Sequence, residues 1–200
     1  MFHEMGHYAN AFYQENSLNA SDDLDLAEVQ SQGLELLSTK FYPDLFGEGL
    51  ADKLEFSLVY RMLYTILSGC LYDEFQQRVY AESDLTPERC CEIYMELLED
   101  YGLETETDSD IDWMDVPHNF EDPFYYLSYA VSAIGALNIY TLLQQDEEAA
   151  MDTYLSICAM SLSQYSFQDA MQDAGFSDPF ADSFFKDFSE QIDTALAGIS

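Results

Sequence analysis

The chain has 200 residues, 48 % hydrophobic and 15 % aromatic, enough to bury the core of one domain. Its 39 acidic residues against 6 basic ones give a formal charge of −33, which repels phosphate backbones and anionic bilayers. Nucleic acid and membranes are therefore excluded as expected partners, and the aromatic content excludes a disordered acidic tail. What remains is a solvated acidic surface or, more sharply, an acidic cleft that favours cationic peptides.

Residues 1–16 read as a helix. Ser21, Asp22 and Asp23 form a cap and acidic first turn for a second helix over about 22–41. Leu26, Val29, Gly33, Leu34 and Leu37 keep the helical period there. YPDLFGEG reads as a connection. Residues 50–82 predict one long helix or two, with a break near Ser68-Gly69. Thr86-Pro87-Glu88 caps a helix over 87–101 that Gly102 ends. ETETDSDID, residues 104–112, is an acidic loop. A long apolar helix follows from about 123, then helices over 147–163 and 166–174, and a last one after Ser177-Asp178-Pro179. No strand pair or repeat stands out, so the expected fold class is all-α, with helices packed in layers. No stretch resembles a signal peptide. The run AVSAIGAL is too short to cross a bilayer, and no apolar run reaches about 18 residues. Cys70, Cys90, Cys91 and Cys158 match no CxxC pair, which predicts reduced thiols and a cytoplasmic location.

The chemistry is concentrated in HEMGH, residues 3–7. His3 and His7 are four apart, so a helix puts both imidazoles on one face, able to converge on one ion. Zinc suits neutral imidazole nitrogen. Glu4 projects beside such an ion and can take a proton from the attacking water. A third protein ligand is needed, and Glu28 lies on the next helix, which an antiparallel turn can bring back. The bland alternative is two surface histidines on a fraying helix. For Glu28 the alternative is stronger, because 39 acidic residues put some glutamate at any spacing.

HEMGH followed by Asp25-Leu26-Ala27-Glu28-Val29-Gln30-Ser31-Gln32 resembles the thimet oligopeptidase and oligoendopeptidase F family of zinc peptidases. Gln30 stands where many members have proline. The resemblance implies Zn2+ held by His3, His7 and Glu28, with Glu4 as general base. VPHNFEDPFYYLSYA is similar to the family's histidine followed by a tyrosine-rich helix start. By that resemblance His118 and Tyr129 donate hydrogen bonds to the tetrahedral intermediate or the adjacent peptide, and Tyr126 contacts substrate. Leu127 occupies the middle tyrosine slot of the family pattern, which keeps Tyr125 a candidate as well. Glu35, seven residues after Glu28 on the same face, is a candidate to orient a ligand histidine, with a solvated face as the alternative. Asp25 invites the same choice, with helix-start charge the stronger reading.

The resemblance implies the layered helical C-terminal half of a zincin oligopeptidase catalytic domain. Within 1–200 the expected parts are zinc helices 1–41, linking helices 47–102, an acidic loop 103–116, and a His/Tyr segment with C-terminal helices over 117–200. The implied activity is hydrolysis of peptide bonds in short peptides. The chain reads as truncated ahead of His3, so weak zinc binding, little or no activity alone, and an exposed apolar face are expected. That face would meet a missing N-terminal half or a second copy. The competing expectations are a non-catalytic helical module that binds zinc or peptides and, more weakly, a zinc hydrolase of non-peptide substrates.

Overall fold

The computed structural model describes residues 2–13, 24–103, 109–161 and 164–199. Among them all regular structure is helical, as the sequence predicts. The α-helices are α1 (Phe2–Tyr13), α2 (Leu24–Leu37), α3 (Tyr42–Phe46), α4 (Glu48–Ala81), α5 (Pro87–Tyr101), α6 (Tyr126–Leu143), α7 (Glu147–Ala159), α8 (Phe167–Asp173) and α9 (Phe184–Leu196). Short 3-10 turns cover Ser38–Phe41, Asp112–Asp115 and Pro117–Asn119. The chain divides into two compact units, Met1–Leu63 with Val131–Ser200, and Tyr64–Ala130.

In the first unit α2 is the central element. Leu26, Val29, Leu36 and Leu37 are buried, and so are the polar Glu28, Gln30, Ser31 and Gln32. A helix enclosed on most sides is held by its neighbours more than by its own propensity. Those neighbours include Gly135 and Ile139 of α6, which stand against Val29 and Gly33, and Tyr154 and Ile157 of α7. The Tyr154 hydroxyl donates to the Gln30 carbonyl at 3.1 Å. That bond gives a buried phenol its partner.

In the second unit α5 packs its apolar stripe into a cluster that includes Leu71, Phe75, Ile93, Leu97 and Trp113. Its ends follow the sequence. Thr86 Oγ1 accepts from the Arg89 amide at 3.3 Å, Pro87 occupies the first turn, and Gly102 closes the helix at φ 63°. Asn119 ties the connection after α5 together. Its Nδ2 donates to the Trp113 carbonyl at 2.7 Å, and its Oδ1 accepts from Gln76 Nε2 at 2.9 Å.

Two elements differ from expectation, and a third settles a choice the sequence left open. YPDLFGEG is not a plain connection: Tyr42–Phe46 forms α3, because Pro43 falls in its first turn, where the missing amide proton costs nothing. α4 runs unbroken through Ser68-Gly69 for 34 residues. A Cβ on Gly69 would stand 2.6 Å from the Ala130 Cβ, so this glycine serves close helix approach and not a break. α6 begins at Tyr126, after Phe124 takes φ 66°. The proposed cap Ser21-Asp22-Asp23, the far end of the first predicted helix, most of the acidic loop at 104–108, and positions 162–163 lie outside the described residues.

Two helices are long and apolar enough, by length and composition alone, to cross a membrane. α6, 18 residues of mean hydropathy 1.3, extends well beyond the run AVSAIGAL and corrects the expectation that no apolar stretch reaches about 18 residues. It is 67 % buried inside the fold, as a core helix is, while the α4 window is 39 % buried.

Candidate metal centre

The centre is built where α1 crosses α2. Gly6 is buried at the crossing, against the backbone of Gln30 and Ser31. One turn further on, Asn10 is buried, and its Nδ2 donates to the Cys158 carbonyl at the end of α7 at 2.9 Å. These two contacts fix the rotation of α1 about its axis and turn His3 and His7 toward α2.

His3 Nε2 stands 3.4 Å from Glu28 Oε2, and His7 Nε2 stands 3.9 Å from Glu28 Oε1. One donor atom from each of the three residues lies within 4.8 Å of the others. Ligands about 2.0–2.1 Å from a tetrahedral ion sit about 3.3–3.4 Å from one another. The donor set and its spacing therefore fit one zinc-like ion after small side-chain adjustments. Glu28 is only 9 % exposed, and Ser31 Oγ donates to its Oε2 at 2.9 Å, which holds the carboxylate in place. Two imidazoles and a carboxylate leave a fourth position open, the pattern of a catalytic and not a closed structural site.

His3 Nδ1 lies 3.1 Å from Glu35 Oε1. A proton on Nδ1 makes this a hydrogen bond and leaves the Nε2 lone pair for an ion. Glu4 is exposed on α1, next in sequence to His3. Asp25 is half-buried at the start of α2, where its backbone carbonyl accepts from Ser132 Oγ at 2.7 Å.

The second unit gathers the remaining candidates. The His118 ring lies 4.6 Å from that of Tyr125, 6.0 Å from Tyr126 and 5.9 Å from Tyr129, centroid to centroid. Among the described residues its Nδ1 is buried without a hydrogen-bond partner, and Asp122 Oδ2 lies 3.8 Å away. Burial, with a smaller contribution from Tyr64, pushes the Tyr126 hydroxyl above its ordinary range, so it stays a protonated donor.

Sequence reasoning did not find Asn10, Ser31 or Arg61. Arg61 on α4 donates through Nη2 to Glu35 Oε2. Ser31 was legible only as part of the Ser-Gln pair that carries the resemblance. Asn10 left a fainter trace, a polar residue three positions after His7 and so on a neighbouring part of the same helix face.

No family model matches the chain. A curated relative, the oligoendopeptidase F homolog of Borreliella burgdorferi, is 27 % identical over 111 residues, covering 52 % of this chain and 19 % of that protein. A solved structure provisionally named oligoendopeptidase F matches the whole chain at TM-score 0.87 and 24 % identity, with 36 % of its own length covered. Another so named, from Bacillus anthracis str. Ames, gives 0.78 at 24 %, with 34 % covered. PZ peptidase A with an inhibitor gives 0.87 at 21 %, with 37 % covered. The chain thus spans about a fifth of its curated relative and about a third of these structures. It is similar in sequence, over about half its length, to an oligoendopeptidase F homolog, and it shares the fold of these structures over its whole length.

Proposed function

We propose that the chain carries the metal centre of a zinc-dependent oligoendopeptidase acting on short peptides in the cytoplasm. The observation that supports this most is the convergence of His3, His7 and Glu28 on one point, with a donor atom from each within 4.8 Å. A zinc ion there would act as a Lewis acid toward the attacking water and the scissile carbonyl. Glu4 accepts the water's proton on its carboxylate and later delivers it to the leaving amine. Glu28 supplies negative charge and, steadied by Ser31, keeps the two imidazoles company in a fixed array. His118, Tyr129, Tyr126 and Tyr125, gathered within the second unit, are the residues the family resemblance offers as hydrogen-bond donors and contacts for a peptide. The test is metal content after dialysis. The purified chain should retain about one zinc, His7→Ala and Glu28→Gln should retain none, and a metal-free wild type would sink the proposal.

Peptide hydrolysis by these 200 residues alone is proposed to be slow or absent, since they span about a third of the matched structures. A closed, dry cleft is needed besides the ligands. Robust turnover of a quenched fluorescent peptide, abolished by Glu4→Gln, would refute this restriction while supporting the chemistry. A non-catalytic binding module is the second reading. It is favoured by Tyr8 and Phe12, 68 % and 69 % exposed on α1, which suit docking of a peptide, a further part of the enzyme or a second copy.

A further inference from the structure

We infer that Arg61 is a positioning residue for the metal centre, acting through Glu35 on the His3 imidazole. The inference rests on the zinc reading above. Three side chains from three helices of one unit form a line. Arg61 Nη2, from α4, donates to Glu35 Oε2 on α2. The other oxygen of that carboxylate, Oε1, is 3.1 Å from His3 Nδ1 on α1. The opposite ring nitrogen of His3, Nε2, is 3.4 Å from Glu28 Oε2. A carboxylate held at one oxygen presents the other in a fixed direction. That direction selects the Nδ1–H tautomer of His3 and fixes the ring plane, leaving Nε2 toward Glu28 and the ion.

Glu35 also needs restraint. It lies two turns from Glu28 on the same face of α2, and its side chain is only 18 % exposed. A free carboxylate there can rotate toward a bound cation and compete with the intended ligands. The guanidinium occupies the competing oxygen. Lysine, a point charge without a planar fork, restrains it less well.

Two effects of removing Arg61 oppose each other. Losing a positive charge favours cation binding, but the Arg61 side chain is 62 % exposed, so its charge is well screened. Losing the orientation of a ligand's hydrogen-bond partner weakens metal binding by about 10–100-fold. Orientation wins, and removing Arg61, one step further out, should cost about tenfold.

The experiment titrates the metal-free full chain with Zn2+ against a chromophoric chelator, with circular dichroism to verify folding. Arg61→Met should weaken Zn2+ by about tenfold, and Arg61→Lys should recover part of the loss. In a Glu35→Gln background, Arg61→Met should change affinity less than about twofold, because its route to His3 is gone. Co2+ bound to Arg61→Met should show altered d–d bands, as a merely packing role would not. Unchanged or tighter Zn2+ binding by Arg61→Met overturns the inference, as does an equal loss in the Glu35→Gln background. If the wild type takes up no Zn2+, the metal reading and this inference fall together. If it does and Arg61→Met matches it, only this inference falls.

Discussion

Gly6 of α1 lies flat against Ser31 of α2: a Cβ on Gly6 would stand 2.5 Å from the Ser31 Cα and 2.3 Å from the Gln30 carbonyl oxygen. Both neighbours are backbone and cannot swing aside. Gly6→Ala must therefore separate the two helices that carry the three donor atoms. Unfolding in urea should show a loss of about 1–3 kcal/mol, the usual cost of overpacking. Zinc affinity should fall with it. Alanine with unchanged stability and affinity would show that the crossing is looser than the geometry requires.

Asn10 is the second anchor of α1. Truncation to alanine removes the donor to the buried Cys158 carbonyl. The expected cost is about 1–3 kcal/mol, read by denaturant midpoint, with a weaker metal site because His7 lies one turn away. Asn10→Asp should be worse than alanine, since a carboxylate would face the carbonyl oxygen.

Local rules were readable from the residues, whereas helix crossings were not. Thr86, Pro87 and Gly102 mark the ends of α5 by chemistry confined to a few residues, and the spacing of His3 and His7 fixes their common face by helix geometry alone. Glu28 could not be singled out from spacing among so many carboxylates; the surrounding pattern of a known family pointed to it. Gly69 could signal a break or a close approach, and only the position of Ala130 decides between them. The contacts of Gly6, Asn10 and Arg61 depend on how distant helices cross. Each such contact joins residues far apart in sequence, so no local pattern announces it.

Asn119 joins Gln76 to the Trp113 carbonyl inside the second unit. Asn119→Ala should destabilise by about 1–3 kcal/mol through the buried groups it leaves unpaired. Trp113 is buried, and it is the chain's 1 tryptophan, so its emission should shift to the red as water reaches the loosened turn. Unaltered emission and stability would count against this network. His118 is the neighbour of Asn119, so the same variant should also disturb the His118–Tyr125 contact.

Alkaline pH should destabilise the fold through its buried phenols. Burial, aided by Glu74, pushes the Tyr101 hydroxyl from 10 up to about 12, and burial pushes Tyr72, Tyr140 and Tyr154 higher still. The folded state holds these protons where the unfolded chain releases them. Stability from Tyr101 is therefore present below pH 10 and lost as pH rises from about 10 to about 12. Melting temperatures measured beside phenolate absorbance should fall across that window, and a flat profile would contradict the burial of these phenols.

Glu28 sits on a largely buried helix, not on a surface loop. A cation taken up there would offset the desolvation of that carboxylate in the folded chain and find no matching site in the unfolded one. Metal loading and folding then become one equilibrium. Chelators should lower the melting temperature of the whole unit, and cells short of zinc would hold less of the folded protein as well as a less occupied one.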